Sequence, residues 1–126
     1  MGRIDANKSS KRFSELLDGT VLEIPEIKLE LAESTKDSDV MDKLSNDTDW
    51  RIRSRIAAKK NLNRATLEKL SKDNDYLVRL SVIQNENVDI FILKAMINDE
   101  NIMVKKSAKI ALQNKQDVLY SMWSDE

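Results

Sequence analysis

The chain has 126 residues and a formal net charge of −1 at neutral pH, with 40% hydrophobic and 34% charged residues. This length suits one domain, and two glycines and one proline leave little of the sequence to turns that need special backbone angles, which favours helices. The absence of cysteine and histidine excludes disulfides, cysteine nucleophiles, imidazole-based triads and the usual zinc ligands.

The N-terminal segment is predicted to differ from the rest of the chain. Residues 1–12 are polar and basic, which indicates a flexible tail. Residues 13–36 are predicted to form an N-terminal cap with a helical turn at 13–17 and a helix that begins near Pro25. Proline fits there because it lacks the amide proton that a first helical turn leaves unpaired. The pattern leaves residues 20–24 open between helical and extended conformations.

No stretch of the sequence is as long and apolar as a membrane span, and residues 1–12 lack the apolar core of a signal peptide. We therefore expect a cytoplasmic protein without a membrane partner.

The rest of the chain shows an internal repeat. Residues 44–47, 70–73 and 96–99 align at a spacing of 26, and further apolar and basic positions follow in the same register. The predicted domain of residues 13–126 therefore continues after the cap with three repeats and a C-terminal half-repeat, at residues 37–61, 63–87, 89–113 and 115–126.

Each repeat is predicted to contain two helices that pack as a hairpin. In the middle repeat, Leu67 and Leu70 mark the apolar side of the first helix, and Val78 and Val82 mark that of the second. Polar residues that can cap a helix start precede both helices in every repeat: Asp37, Asp49, Asn63, Asp75, Asp89 and Asn101. Because stacked hairpins bury a continuous core, the sequence predicts an all-α, right-handed solenoid.

A further pattern joins the turn of each repeat to its second helix. An aspartate in the turn is followed six residues later by a basic residue, in the pairs Asp47/Arg53, Asp73/Arg79 and Asp99/Lys105. This pattern resembles the signature of HEAT repeats, and residues 75–85 are similar to the leucine-rich-repeat-variant family. The resemblance covers about residues 37–125.

The resemblance implies a stack of helix pairs and a structural ladder in which each aspartate pairs with its basic residue. Lysine cannot make the forked contact of arginine, so Lys105 departs from the pattern. Some leucine-rich-repeat-variant proteins carry a cysteine-ligated iron–sulfur cluster, which this cysteine-free chain cannot hold. No cofactor is expected.

The charges alternate in blocks along the chain. Residues 13–49 hold eleven acids and three bases, residues 50–64 hold six bases and no acid, and residues 101–115 hold four lysines and no acid. Second helices of stacked repeats line one surface, so we predict a partner-binding surface there. Its candidate residues are Arg51, Arg55, Lys59, Lys60, Lys105, Lys106 and Lys109, with the aromatic residues Trp50 and Tyr76.

Alternatives remain open for these residues. The basic face could bind nucleic acid or an acidic protein patch, or it could be a solvated helix face. Arg55 occupies the register of Ser81 and Ser107, which marks it as a candidate for function, but it could instead pair with the acidic cap. Trp50 and Tyr76 could either pack between helices or form an exposed row.

The carboxylates do not indicate catalysis. Those at the turns are explained by helix capping, and their spacing lacks the glycine-containing loop of a calcium site. The sequence therefore predicts a non-enzymatic scaffold that binds another protein through its second helices, with no small-molecule substrate. The alternative is nucleic-acid binding, or inhibition of a nucleic-acid enzyme, through the basic second helices.

Overall fold

A computed structural model describes residues 24–124, and all regular secondary structure within this range is α-helical. The predicted all-α class is therefore confirmed. The helices are α1 (Pro25–Ser34), α2 (Ser38–Leu44), α3 (Trp50–Ala57), α4 (Arg64–Leu70), α5 (Tyr76–Gln84), α6 (Ile90–Met96) and α7 (Ile102–Trp123). In this part of the chain, none of the helices has the length and apolarity needed to cross a membrane.

The helix starts are fixed by local sequence. Helix α1 begins at Pro25 as predicted, directly after the extended residue Ile24. The predicted tail, the turn at 13–17 and residues 20–23 lie outside the described residues. Helices α2 to α7 each follow a residue whose side chain accepts a backbone amide hydrogen bond, as predicted: Asp37, Asp49, Asn63, Asp75, Asp89 and Asn101.

The helices pack in a regular order. Helix α3 lies between α1 and α5, and α5 lies between α3 and α7. Helices α2, α4 and α6 pack against α3, α5 and α7, respectively. Between α3 and α5, the hydroxyl oxygens of Ser54 and Ser81 are 2.5 Å apart, so small side chains let these two helices approach closely.

The core lies between the two sets of helices. Val78 and Val82 of α5 are fully buried, as predicted, together with Ile52 and Ile56 of α3. The opposing helices contribute Val40, Met41 and Leu44, then Leu67 and Leu70, then Ile92, Leu93 and Met96. Apolar spacing marks Met41, Leu44, Leu67, Leu70, Leu93 and Met96 as inward-facing, and Val40 and Ile92 join them in the core.

The C-terminal half-repeat predicted over residues 115–126 is wrong. Helix α7 runs without a break from Ile102 to Trp123, so residues 115–123 extend it. The physical reason is the residue at position 115. Lys115 stands in the register of the caps Asp37, Asn63 and Asp89, and its ammonium group cannot accept an amide hydrogen bond. Without a cap to start a new helix, the existing helix continues.

We expect Val82→Ala to lower the free energy of unfolding by about 1–3 kcal/mol, because it removes buried apolar surface and leaves a cavity. The matched control is Val118→Ala on α7, where the side chain is 60% exposed and the same change should have little effect. Chemical denaturation of both variants measures the difference. Equal unfolding midpoints for the two variants would show that the inward face of α5 is wrongly assigned.

Candidate binding surface

Two arginines connect successive turns of the fold. Arg53 donates from Nη1 to the carbonyl oxygen of Asp47 at 2.8 Å, and from Nε and Nη2 to the carboxylate of Asp73 at 2.8 and 3.0 Å. Arg79 repeats this arrangement with the Asp73 carbonyl at 2.7 Å and the Asp99 carboxylate at 2.8 and 3.0 Å. Each guanidinium therefore spans two turns, and the carboxylate contact is bidentate.

This geometry corrects the predicted ladder, because each arginine pairs with the carboxylate of the following turn. The aspartate six residues earlier contributes only its carbonyl oxygen. The carboxylate of Asp47 is instead held by Lys28 at 2.8 Å and by its own turn, where it accepts the amide of Asp49. The predicted Asp99/Lys105 pair is also wrong, since Arg79 holds Asp99 and Lys105 makes no side-chain hydrogen bond or ion pair within residues 24–124.

The contact with Arg79 favours the ionised form of Asp99. Burial alone would raise the pKa of Asp99, but the hydrogen bonds from Arg79 and from the amide of Asn101 outweigh it and lower that pKa below the ordinary value. The hydrogen bond to Asp73 likewise raises the pKa of Arg53. These groups hold the turns together and are not available to a partner.

Most of the first basic segment is paired within the chain. Arg51 contacts Asp49, with 2.7 Å between Nη2 and Oδ2. Arg55 reaches back to α1, where its Nε lies 2.7 Å from Oε1 of Glu33. Lys59 donates to the carbonyl oxygen of the same Glu33 at 2.9 Å. The arrangement found for Arg55 is thus the alternative in which it pairs with the acidic cap.

The remaining cations of this segment are also engaged. Burial lowers the pKa of Lys59, and the negative charge of Glu33 offsets only part of that effect. Lys60 lies 3.7 Å from the carboxylate of Glu86, and Arg64 contacts both Asp89 and Glu68. Neighbouring acids of the chain therefore offset much of the positive charge of residues 50–64.

The second basic group does not join the first. Helix α5 lies between α3 and α7, and its one basic residue, Arg79, is buried in the ladder. The continuous basic surface predicted along the second helices is thus interrupted. Lys106 and Lys109 on α7 are exposed, and neither has a hydrogen bond or ion pair in the described part of the chain.

The predicted aromatic residues occupy equivalent places. Trp50 and Tyr76 are the first residues of α3 and α5, and they are 40% and 38% exposed. Ile102 takes the same place at the start of α7 and is 57% exposed. The three side chains therefore lie at the same end of adjacent helices and are partly accessible.

Large exposed apolar side chains are concentrated on the last helix. Of the thirteen such residues in the described range, eight belong to α7: Ile102, Met103, Ile110, Val118, Leu119, Tyr120, Met122 and Trp123. Contiguous exposed apolar surface on a folded chain marks interaction sites. Helix α7 therefore carries most of the large exposed apolar side chains in residues 24–124.

An apolar groove lies between α6 and the extended part of α7. Its volume is ≈ 630 Å³, and its apolar walls come from Val88, Ile90 and Phe91 on one side and Val118 and Leu119 on the other. The groove thus lies against the part of α7 that the sequence assigned to a separate half-repeat.

Within residues 24–124, no group of three or more carboxylates is placed to hold a metal ion. No known protein-family model, curated protein or solved structure matches this chain. The arrangement of its own residues is therefore the basis for inferring a function.

Sequence reasoning did not select the exposed apolar residues Met103, Ile110 and Phe91, because it chose basic residues and the aromatic residues at two helix starts. A comparison of positions two 26-residue spacings apart contains the relevant signal. The corresponding earlier residues are Arg51, Ala58 and Asp39, so large apolar side chains stand in place of polar or small ones.

We expect Asp99→Asn to lower the free energy of unfolding at neutral pH by about 1–3 kcal/mol, because Arg79 loses a charged acceptor. The pKa of Asp99 is depressed in the folded state, so its contribution is present above the unfolded pKa and is lost as pH falls through the folded pKa. Denaturation as a function of pH should therefore show the wild type and the variant converging in acid. Neighbouring exposed Glu100, changed to Gln, is the control and should retain the wild-type pH dependence.

We expect Arg55→Ala to change stability by about 0–1 kcal/mol, because the Arg55 and Glu33 side chains are 40% and 61% exposed and water screens their attraction. A double-mutant cycle with Glu33→Gln measures the coupling. Partner affinity per folded molecule should stay at the wild-type value. A tenfold loss of affinity with unchanged stability would return Arg55 to the binding surface.

Proposed function

We propose that the chain is a non-enzymatic protein-binding scaffold, built as a right-handed solenoid of HEAT-like helix pairs with a 26-residue period. Three regularities support this architecture. Helices α3, α5 and α7 begin at the equally spaced residues Trp50, Tyr76 and Ile102. They pack side by side in chain order, and Arg53 and Arg79 make the same set of contacts one turn apart. The proposal includes the cytoplasmic location expected from the sequence.

The proposed contact surface is the exposed side of the second helices, centred on α7. The concentration of exposed apolar residues on that helix carries the proposal, because burying such residues against a partner is the main favourable term in association. Met103 and Ile110 lie seven residues apart, on one side of the helix, and are 56% and 64% exposed. They give the surface an apolar centre.

Catalysis is not part of the proposal. The chain has no histidine or cysteine, and carboxylates such as Asp73, Asp89 and Asp99 are occupied by caps and arginines. Nucleic-acid binding is the competing function. This alternative has less support, because Arg51, Arg55 and neighbouring cations pair with acids of the chain. Fewer positive charges are then left to release counterions from a phosphate backbone.

Affinity capture from lysate of the organism that produces the chain tests the proposal. The bait variant Met103→Ser/Ile110→Ser should lose a protein that the wild type captures, because it removes apolar contact area without changing charge. The matched control Ile24→Ser/Ile27→Ser alters exposed apolar residues at the opposite end of the described chain and should retain that protein. Circular dichroism verifies that both variants are folded.

Nuclease treatment separates the two functions. Capture that survives nuclease and depends on Met103 and Ile110 supports protein binding. Recovery of nucleic acid in place of protein, with binding that weakens steeply as salt is raised, overturns it.

A further inference from the structure

We infer that one side of α7 docks an acidic amphipathic helix of a partner protein; this inference rests on the protein-binding function proposed above. We name this side the open flank and define it by Ile102, Lys106, Lys109 and Ile110. Ile102 and Lys109 lie four and three positions from Lys106, and Ile110 lies four positions after it, which places all of them along one side of the helix.

The contacts of α3 show what the open flank lacks. Ser54 of α3 meets Ser81 of α5 across a distance of 2.5 Å, so this side of α3 is covered by the next helix of its layer. Lys106 is the residue of α7 that corresponds to Ser54 in the 26-residue register. In the described part of the chain, α7 is the last helix and has no following helix to cover the equivalent side.

The residues of the open flank also differ from their counterparts. The position of Lys109 is filled by Ala57 in α3 and by Ile83 in α5, and both are buried. If a helix packed here through apolar residues alone, it would bury the charges of Lys106 and Lys109 without partners, which is costly in free energy. An occupant of this flank must therefore supply negative charge.

The charge pattern defines the occupant further. Residues 101–115 contain four lysines and no acid, and the two lysines of the flank have no ion pair in the described chain. Ile102 and Ile110, more than half exposed, lie on either side of them. A helix with two carboxylates about one turn apart, bordered by apolar residues, matches this order of apolar and basic groups.

The chain already contains one contact of this type. Helix α1 carries Glu26, Glu30 and Glu33 and packs against the basic helix α3. Glu33 receives Arg55 through its carboxylate and Lys59 through its carbonyl oxygen. Within this chain, an acidic helix thus already lies against a basic second helix and pairs with it through Glu33.

Other occupants match the flank less well. A second copy of the chain that used the same flank would bring its own Lys106 and Lys109 against the first pair, and like charges repel. A phosphate backbone would neutralise the lysines but would leave Ile102 and Ile110 against a polar, hydrated surface. An acidic helix satisfies both the charged and the apolar groups.

The test is a selection from a display library of α-helical peptides with randomised surface positions, performed on the full chain. The wild type should enrich peptides with Asp or Glu beside apolar residues at helical spacing. The charge-reversed variant Lys106→Glu/Lys109→Glu should enrich Lys or Arg at those positions instead. The control Lys36→Glu/Lys72→Glu makes the same change in net charge at exposed residues away from α7 and should select the wild-type peptides.

Fluorescence anisotropy with the most enriched peptide then measures affinity. We expect Lys106→Glu/Lys109→Glu to weaken binding by at least about tenfold, because it places like charges at the contact, and the control to retain the wild-type affinity. Circular dichroism must show equal helix content for all three proteins. Ile110→Ser should weaken the same peptide without changing the charge preference of the selection.

The inference is overturned if the wild type enriches no acidic peptides, or if charge reversal leaves their affinity unchanged. It is also overturned if single-stranded or duplex oligonucleotides bind Lys106 and Lys109 more tightly than the selected peptides, or if sedimentation shows self-association through the flank. Should the captured protein still depend on Met103 and Ile110, the protein-binding function stands and only the acidic helix is rejected.

Discussion

Short helices that cannot persist alone impose the main constraint on this fold. The first six helices of the described chain have seven to ten residues, which is below the length at which an isolated helix is stable in water. Each one depends on apolar burial against a neighbouring helix, so α1, α3, α5 and α7 stabilise one another in that order. Val78 and Val82 lie on α5, which is covered by a helix on both sides. Within residues 24–124, α7 packs against α5 and α6 and has no further helix of its own layer beside it, and it is also the longest helix at 22 residues.

The arginine contacts fix the relative position of the packed helices. Apolar surfaces can slide, whereas a bidentate contact between Arg53 and Asp73 has one geometry. The carbonyl of Asp47 fixes the other end of the same guanidinium, so the spacing between successive turns is set by one side chain. Lysine at position 105 cannot reproduce this forked contact, so within residues 24–124 Arg79 is the last residue that makes it.

Local rules account for much of what the sequence predicts. Helix caps such as Asn63 and buried residues such as Val82 follow from the neighbouring few residues, and both predictions are confirmed. The carboxylate partner of Arg53 could not be predicted in this way, because it lies 20 residues away and depends on how two helix pairs approach. The neutralisation of Arg55 by Glu33 similarly requires the position of α1. The continuation of α7 could have been predicted, because Lys115 stands at a position where the earlier helices have a capping residue and lysine cannot act as one.

The open flank of α7 combines two requirements, solubility and recognition. A helix side that only faces water needs polar residues, because an apolar side would associate without specificity. Lys106 and Lys109 meet that need, but Ile102 and Ile110 on the same side do not. Replacing the two isoleucines by polar residues would cost the fold little, since neither side chain is buried. In the proposed contact, their combination with two lysines would favour partner surfaces that are both apolar and acidic, as expected of a selective contact surface.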